Sequence, residues 1–325
     1  MYRPANYELR IIPEEEFPKA IVKIEKELDK YRNSGFFDTL DGKKIFYEYF
    51  LCENSKASIV IVHGLSEFTK KFYEITYYLL DQGYNVFLYD QRCHGFSSRL
   101  TDRMDLIHVD SFSDYVSDLS VYIDKIVAPA EDKPIYIYSH SMGGAVTAMY
   151  LARYSQKIKK AVLSAPLFDP QIGRVSPKVA RIGVKMSAVL LGKKRKFQLT
   201  SEFNPDIPYK KNLDASRNRF NHNMDMRRSD EHYQSTPMTT GWVYNSLNLR
   251  SNILRDKVAG RIKTPILLLS PEKDSVVKVD AQHIFAKKCK SCKLVTIKNA
   301  NHSMLTGSQK TITEHITNVL MFYRD

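Results

Sequence analysis

Residues 135–144 read Ile135-Tyr136-Ile137-Tyr138-Ser139-His140-Ser141-Met142-Gly143-Gly144. Ile135 to Tyr138 is a short apolar, aromatic run that ends in small and polar residues. A helical pattern, Ala145 to Tyr154, follows at once. Strand, sharp turn and helix is the context of a nucleophile elbow, in which a strained turn pushes a serine hydroxyl above the sheet edge. The central serine is Ser141. Small residues are needed two positions either side, because strand and helix backbones nearly touch there. Ser139 and Gly143 occupy those positions. Glycine is usual at both, so Ser139 is a mild departure.

A serine hydroxyl is a poor nucleophile until a base takes its proton and an acid orients that base. Ser141 therefore predicts partners at the carboxyl ends of later strands. The apolar run Ile266–Leu269 leads into Ser270-Pro-Glu-Lys-Asp274, and Leu294–Ile297 leads into Lys298-Asn-Ala-Asn-His302. The chain order Ser, Asp, His is the one expected of this arrangement. Asp274 is preferred to Glu272 because it precedes the Ser-Val-Val segment that starts the next element. The reaction also needs donors for a developing oxyanion. The backbone N–H of Met142 is one. The loop His63-Gly-Leu-Ser-Glu67, after the run Ser58–Val62, supplies the N–H of Leu65 as the other. His63 comes too early in the chain for the base and reads as structural.

Short apolar runs alternate with helical patterns along most of the chain: Ser58–Val62, Asn85–Tyr89, Ile135–Tyr138, Ala161–Leu163, Ile266–Leu269 and Leu294–Ile297. This predicts an α/β fold, with a mostly parallel sheet covered by helices on both faces. Asp41-Gly42, between two strand patterns, predicts a hairpin that adds an antiparallel edge. Ile21, Ile24 and Leu28 predict an amphipathic helix within residues 14–32. The alternation stops between Phe168 and Arg250. An 80-residue structureless loop is improbable in a compact domain. The expected organisation is a core over 1–167 and 251–325, with an inserted helical cap over 168–250.

Composition narrows the function classes. The chain has 325 residues and is 43% hydrophobic, enough for one large domain with an insertion. No apolar run approaches the roughly 20 residues of a membrane span. Met1 to Lys19 shows no apolar signal region, so a cytoplasmic protein is expected. Four cysteines suggest no disulfide framework. Cys289 and Cys292 read as chance spacing on a basic surface helix. Asp110, Asp114 and Asp118 share a helical face, with no further ligand at suitable spacing nearby. They read as a solvated or capped face rather than a metal site. Asp90-Gln91-Arg92-Cys93-His94-Gly95 reads as a loop brace beneath the site.

Several segments together resemble the lysophospholipase and monoacylglycerol lipase group of α/β-hydrolases (serine aminopeptidase S33-like), the bacterial lysophospholipases most of all. They are His63 to Glu67, Tyr89 to Ser97, His108 to Leu119, Ser139 to Gly144 and, less specifically, Thr236 to Val243. The resemblance implies Ser141 as nucleophile, Asp274 as acid and His302 as base. It implies carboxyl-ester hydrolysis through an acyl-enzyme, without metal or organic cofactor. Cys93 departs from the glycine usual in the group. The expected substrates are lysophospholipids or monoacylglycerols. Acyl transfer or amide hydrolysis by the same residues is the alternative enzyme reading, since a fold does not dictate the leaving group. A non-catalytic lipid-binding or membrane-docking protein is the alternative from another class.

The net charge is +13, and Phe168 to Arg250 carries 15 Lys+Arg against 7 Asp+Glu. Such a stretch attracts polyanions. No nucleic-acid-binding module is recognisable, so nucleic acid is not an expected partner. Lys178, Arg181 and Lys185 fall on one face of a helical pattern, and Val179, Ile182, Met186, Val189 and Leu190 on the other. Lys193-Lys-Arg-Lys196 follows. This predicts a helix suited to an anionic membrane surface.

Overall fold

The structure is a computed structural model that describes residues 1–4, 9–173, 175–210 and 214–325. Its strands are β1 (Asn33–Asp38), β2 (Lys44–Phe50), β3 (Ser58–Val62), β4 (Asn85–Tyr89), β5 (Ile135–His140), β6 (Lys160–Ser164), β7 (Ile266–Pro271) and β8 (Cys292–Ile297). They form one sheet in the order β1-β2-β4-β3-β5-β6-β7-β8. β2 pairs antiparallel with β1 and β4, and the other neighbours are parallel. The hairpin turns at Asp41-Gly42, where Gly42 takes φ 74°, a conformation that glycine adopts without steric cost.

Why the apolar runs are continuous is clear from the side-chain period of two. Val60, Val62, Ile137, Leu163 and Leu268 enter one core. Ile59, Ile61, Tyr138, Val162 and Leu267 enter another on the opposite face. A sheet covered twice must be apolar at every position. Helices α1 (Phe17–Tyr31) and α2 (Tyr73–Asp81) cover one face. The other is covered by α3 (Phe112–Tyr122), which leads to the short α4 (Ala128–Ala130), and by α5 (Met142–Tyr154).

Between β6 and β7 lie α6 (Pro177–Leu191), α7 (Arg217–Ser229), α8 (Thr240–Ser246), α9 (Leu249–Ile253) and α10 (Asp256–Ala259). No strand occurs there among the described residues. α11 (Val279–Lys288) and α12 (Gln309–Arg324) complete the chain. Trp242, Leu249 and Ile253 join the core on the α5 face. α7 is fastened to the N-terminal part of the chain through buried Arg219. Its guanidinium donates to Glu74 at 2.6 and 2.9 Å, to Glu14 at 3.2 Å and to the Ile12 carbonyl at 2.9 Å. It also lies 4.5 Å from the Phe17 ring centroid.

Two sequence expectations need correction. Asp118 is not on a solvated face. It is buried and takes a two-pronged ion pair from Arg92 at 2.6 and 2.7 Å, while Arg92 also reaches Asp41. Of the other two, Asp114 closes a capping box with Ser111, and Asp110 is exposed. The face therefore mixes solvation, capping and burial, because Arg92 supplies a charge partner from another strand end. Cys289 and Cys292 do not share a surface helix. Cys289 is buried at the end of α11, and Cys292 opens β8. The helix stops because β8 must begin its pairing with β7 there.

Candidate active site

β5 extends through Ser139 and His140, two residues past its apolar run, because His140 still pairs with Ser164 of β6. The next residue, Ser141, takes φ 51° and ψ −116°. A non-glycine residue held there costs on the order of 1–3 kcal/mol, which the surroundings must offset. They do so through close packing. A Cβ on Gly143 would lie 2.1 Å from the Val62 carbonyl oxygen, and one on Gly144 would lie 2.6 Å from Pro166 Cβ. Ser139 is tolerated because its buried hydroxyl donates to the Val162 carbonyl at 3.0 Å.

Three loops converge on Ser141. His302, after β8, places Nε2 2.8 Å from Ser141 Oγ. Its Nδ1 lies 2.7 Å from Asp274 Oδ2, after β7. The other carboxylate oxygen, Oδ1, accepts from the N–H groups of Val276 and Val277 at 2.8 and 2.9 Å. Glu272, the alternative acid, is exposed and accepts from the Asn299 N–H instead. Met142 opens α5, so its N–H has no partner within the helix. Leu65 lies on the facing loop after β3. That loop approaches closely enough that a Cβ on Gly64 would be 3.0 Å from Ser141 Cβ. The five residues singled out from the sequence are thus on neighbouring loops at one end of the sheet. The arrangement can relay a proton from a hydroxyl to an imidazole that a carboxylate orients.

Burial pushes the His302 imidazole below the ordinary histidine value of 6.5, although Asp274 pulls it up; neighbouring His140 lowers it further. A base must be neutral to accept a proton, so lowering its pKa extends the neutral range toward acid. The acid limb of a kcat/KM profile for ester cleavage is therefore expected to have its midpoint below pH 6.5. A midpoint above the ordinary histidine value would contradict this assignment.

The His63 ring is engaged by the backbone of its own loop and of Gln91. Its Nδ1 contacts the Gly64 carbonyl at 2.7 Å, and its Nε2 accepts from the Gln91 N–H at 2.8 Å. It braces the loop, as its chain position suggested. Phe68 stacks on Tyr233, 4.0 Å between centroids, and Phe96 stacks on His232 at 4.5 Å. These contacts bring the segment after α7 against the Leu65 loop and the loop after β4. Among the described residues no group of histidine, cysteine and acidic side chains is arranged to hold a metal ion.

Sequence reasoning overlooked His140 and Lys71 and gave Glu67 no role. Buried Glu67 accepts from the Gly64 N–H at 2.5 Å, pairs with Lys71 at 2.6 Å and contacts His140 Nδ1 at 2.9 Å. Burial raises its pKa, but His140 and Lys71 outweigh this and hold the carboxyl well below the usual range. The one available signal was the Glu67, Lys71 spacing of four, which suits a helical ion pair. Nothing local announced His140, since that contact joins segments 73 residues apart.

Residues 53–309 match the model of the family described as serine aminopeptidase, S33. The chain is 28% identical over 276 residues to a protein of Haemophilus influenzae named probable lysophospholipase L2, covering 82% of this chain and 85% of that protein. It is 29% identical over 249 residues to lysophospholipase L2 of Escherichia coli, covering 76% and 72%. Among solved structures, a soluble variant of monoglyceride lipase from Saccharomyces cerevisiae superposes with a TM-score of 0.70 at 17% identity. That match covers 90% of this chain and 94% of that one. A carboxyl esterase from Bacillus coagulans gives 0.71 at 14%, over 90% and 98%. The fold is that of the α/β-hydrolases. The chain belongs to the serine aminopeptidase S33 family and is an ester-hydrolysing enzyme.

Proposed function

We propose that the chain hydrolyses single-chain lipid esters, lysophospholipids or monoacylglycerols, through an acyl-enzyme on Ser141. The observation that carries this is the unbroken Asp274, His302, Ser141 chain of 2.7 and 2.8 Å contacts on a strained serine. Ser141 Oγ attacks the ester carbonyl while His302 Nε2 takes its proton. The N–H groups of Leu65 and Met142 hold the oxyanion. Losing one such donor typically costs about 2.7–4 kcal/mol. His302 returns the proton to the leaving alcohol, then activates a water that releases the fatty acid. Asp274 orients the imidazole and stabilises its charged form. The names of the relatives support the lipid class. A release assay across lysophospholipids, monoacylglycerols and short-chain esters tests it. Turnover of the single-chain lipids is expected to exceed that of the short esters, and the reverse order would overturn the substrate class.

The reading includes a helical cap over residues 168–250 and a peripheral contact between it and an anionic membrane surface. Val179, Ile182, Met186, Val189, Leu190 and Leu191 of α6 are all exposed, the last three by 60–76%. α6 packs with Val184 inward, and its apolar stripe is left outside. The next segment is basic and firmly built. The Lys193 and Arg195 carbonyls accept from the N–H groups of Gly241 and Thr240 at 2.9 and 2.8 Å, and Phe197 donates to the Met238 carbonyl. No acidic residue occurs between Asp169 and Glu202, and Glu202 itself pairs with Lys196. An exposed apolar face beside a basic cluster suits an anionic lipid surface. No helix of the described residues is long and apolar enough to cross a membrane. Vesicle sedimentation is expected to show binding to anionic vesicles that weakens with salt and with Leu190→Asp. Equal binding to neutral and anionic vesicles at low salt would count against it.

A further inference from the structure

Glu67 joins three segments that the proposed reaction needs in register. Its Oε2 accepts from the Gly64 N–H at 2.5 Å, on the loop that carries Leu65. The same oxygen meets Nδ1 of His140, the residue before Ser141, at 2.9 Å. The other nitrogen of that ring, Nε2, lies 3.3 Å from the backbone carbonyl of His302. The oxyanion loop, the elbow and the histidine loop are thereby linked through one carboxylate and one imidazole. Both partners of His140 are acceptors: the Glu67 carboxylate faces Nδ1 and the His302 carbonyl faces Nε2.

The placement poses an electrostatic problem. A buried carboxylate beside the oxyanion loop opposes the negative charge that forms during ester cleavage, because low-dielectric surroundings strengthen the repulsion. The structure answers it with Lys71, 2.6 Å from Glu67 Oε1 and one helical turn along the chain. Lys71 and Glu67 side chains are only 18% and 6% exposed, so solvent screens the pair little.

We propose that Glu67 is a positioning residue that sets the oxyanion loop and the His302 loop against Ser141, and that Lys71 cancels its charge at the oxyanion. The proposal rests on Ser141 being the nucleophile. The distances make Glu67 the common acceptor, and the carboxylate tolerates that position only while its charge is opposed.

Three variants test it: Glu67→Ala, Lys71→Met and the double variant Lys71→Met/Glu67→Gln. Each is assayed for ester turnover and for the rate of labelling by a fluorophosphonate, with thermal unfolding to establish the folded fraction. Glu67→Ala releases the loops and is expected to lower kcat about 100-fold, the scale of a small misplacement of reacting groups. Lys71→Met leaves the loops tied but removes the ammonium paired with Glu67, so kcat is expected to fall by about 10-fold with little change in KM. In the double variant, the side-chain amide that replaces the Glu67 carboxylate keeps an acceptor for the Gly64 N–H but carries no charge. This variant is expected to recover most of the turnover lost in Lys71→Met. A purely structural role predicts the opposite, since removing both partners of a pair restores no contact.

Wild-type kcat in folded Glu67→Ala would overturn the positioning role. A double variant no faster than Lys71→Met would overturn the charge cancellation, whatever its unfolding temperature. Failure of the underlying reading is distinct, because wild-type protein would then not label at Ser141 at all.

Discussion

Ser141→Ala is expected to lose ester turnover by about a millionfold, as when the nucleophile of a comparable triad is removed. The size of the effect follows from what the substitution deletes. In the proposed reaction Ser141 Oγ forms the acyl bond, and its contact in the structure is His302 Nε2 at 2.8 Å. Alanine carries no nucleophile, and His302 then has no hydroxyl proton to accept. The fold should survive. The elbow is imposed by the close approach of Gly143 to Val62 and of Gly144 to Pro166, not by the hydroxyl. Alanine meets the same φ of 51° that serine already endures. Covalent labelling by a fluorophosphonate should occur in wild type and vanish in the variant, with thermal unfolding nearly unchanged. Labelling that persists in Ser141→Ala would assign the nucleophile elsewhere. Wild-type protein that folds but does not label would favour a non-catalytic lipid-binding role.

Asp274→Asn should follow at about 10⁴-fold in kcat, the cost of forcing the wrong imidazole tautomer in a triad. The direction of the new amide can be argued from the backbone. Asp274 Oδ1 accepts from both Val276 and Val277 N–H groups. An asparagine must keep its oxygen on those two donors, which turns its NH₂ toward His302 Nδ1. Nδ1 then becomes an acceptor, and the proton moves to Nε2. A protonated Nε2 cannot take the Ser141 proton. The turn remains satisfied, so stability should change far less than turnover. Glu272→Gln is the matched control. Glu272 is exposed, its carboxylate caps the Asn299 N–H, and turnover should stay near wild type. A large loss in Glu272→Gln with little in Asp274→Asn would reverse the choice of acid.

Much of this architecture was legible because it is locally encoded. A run such as Ile59 to Val62 is apolar at every position only if both faces of the strand are covered, and the two cores take its residues alternately. Asp41-Gly42 specified a turn through the φ of 74° at Gly42. The residue spacing of α6 separates two faces, and its apolar face lies in the open. Local reading failed where the answer depended on a partner from elsewhere. Asp118 looked like its exposed neighbour Asp110 until Arg92, 26 residues away, claimed it. The end of β5 ran past its apolar residues because β6 offered pairing up to Ser164. Cys289 and Cys292 shared a spacing but not an element, since β8 begins at Cys292.

The sequence by itself determined the order of strands and helices, the strained turn at Ser141 and the residue types able to form a proton relay. These depend on neighbours along the chain: side-chain period, backbone permissiveness, and a polar residue following an apolar run. Tertiary structure alone decided the distances. It brought His302 within 2.8 Å of a serine 161 residues away. It turned the Asp274 carboxylate toward His302 and left that of Glu272 in solvent. It also placed Glu67 beneath three loops at once. Each of these is a meeting of segments far apart in the chain, set by sheet pairing and by the burial of charges that must find opposite partners.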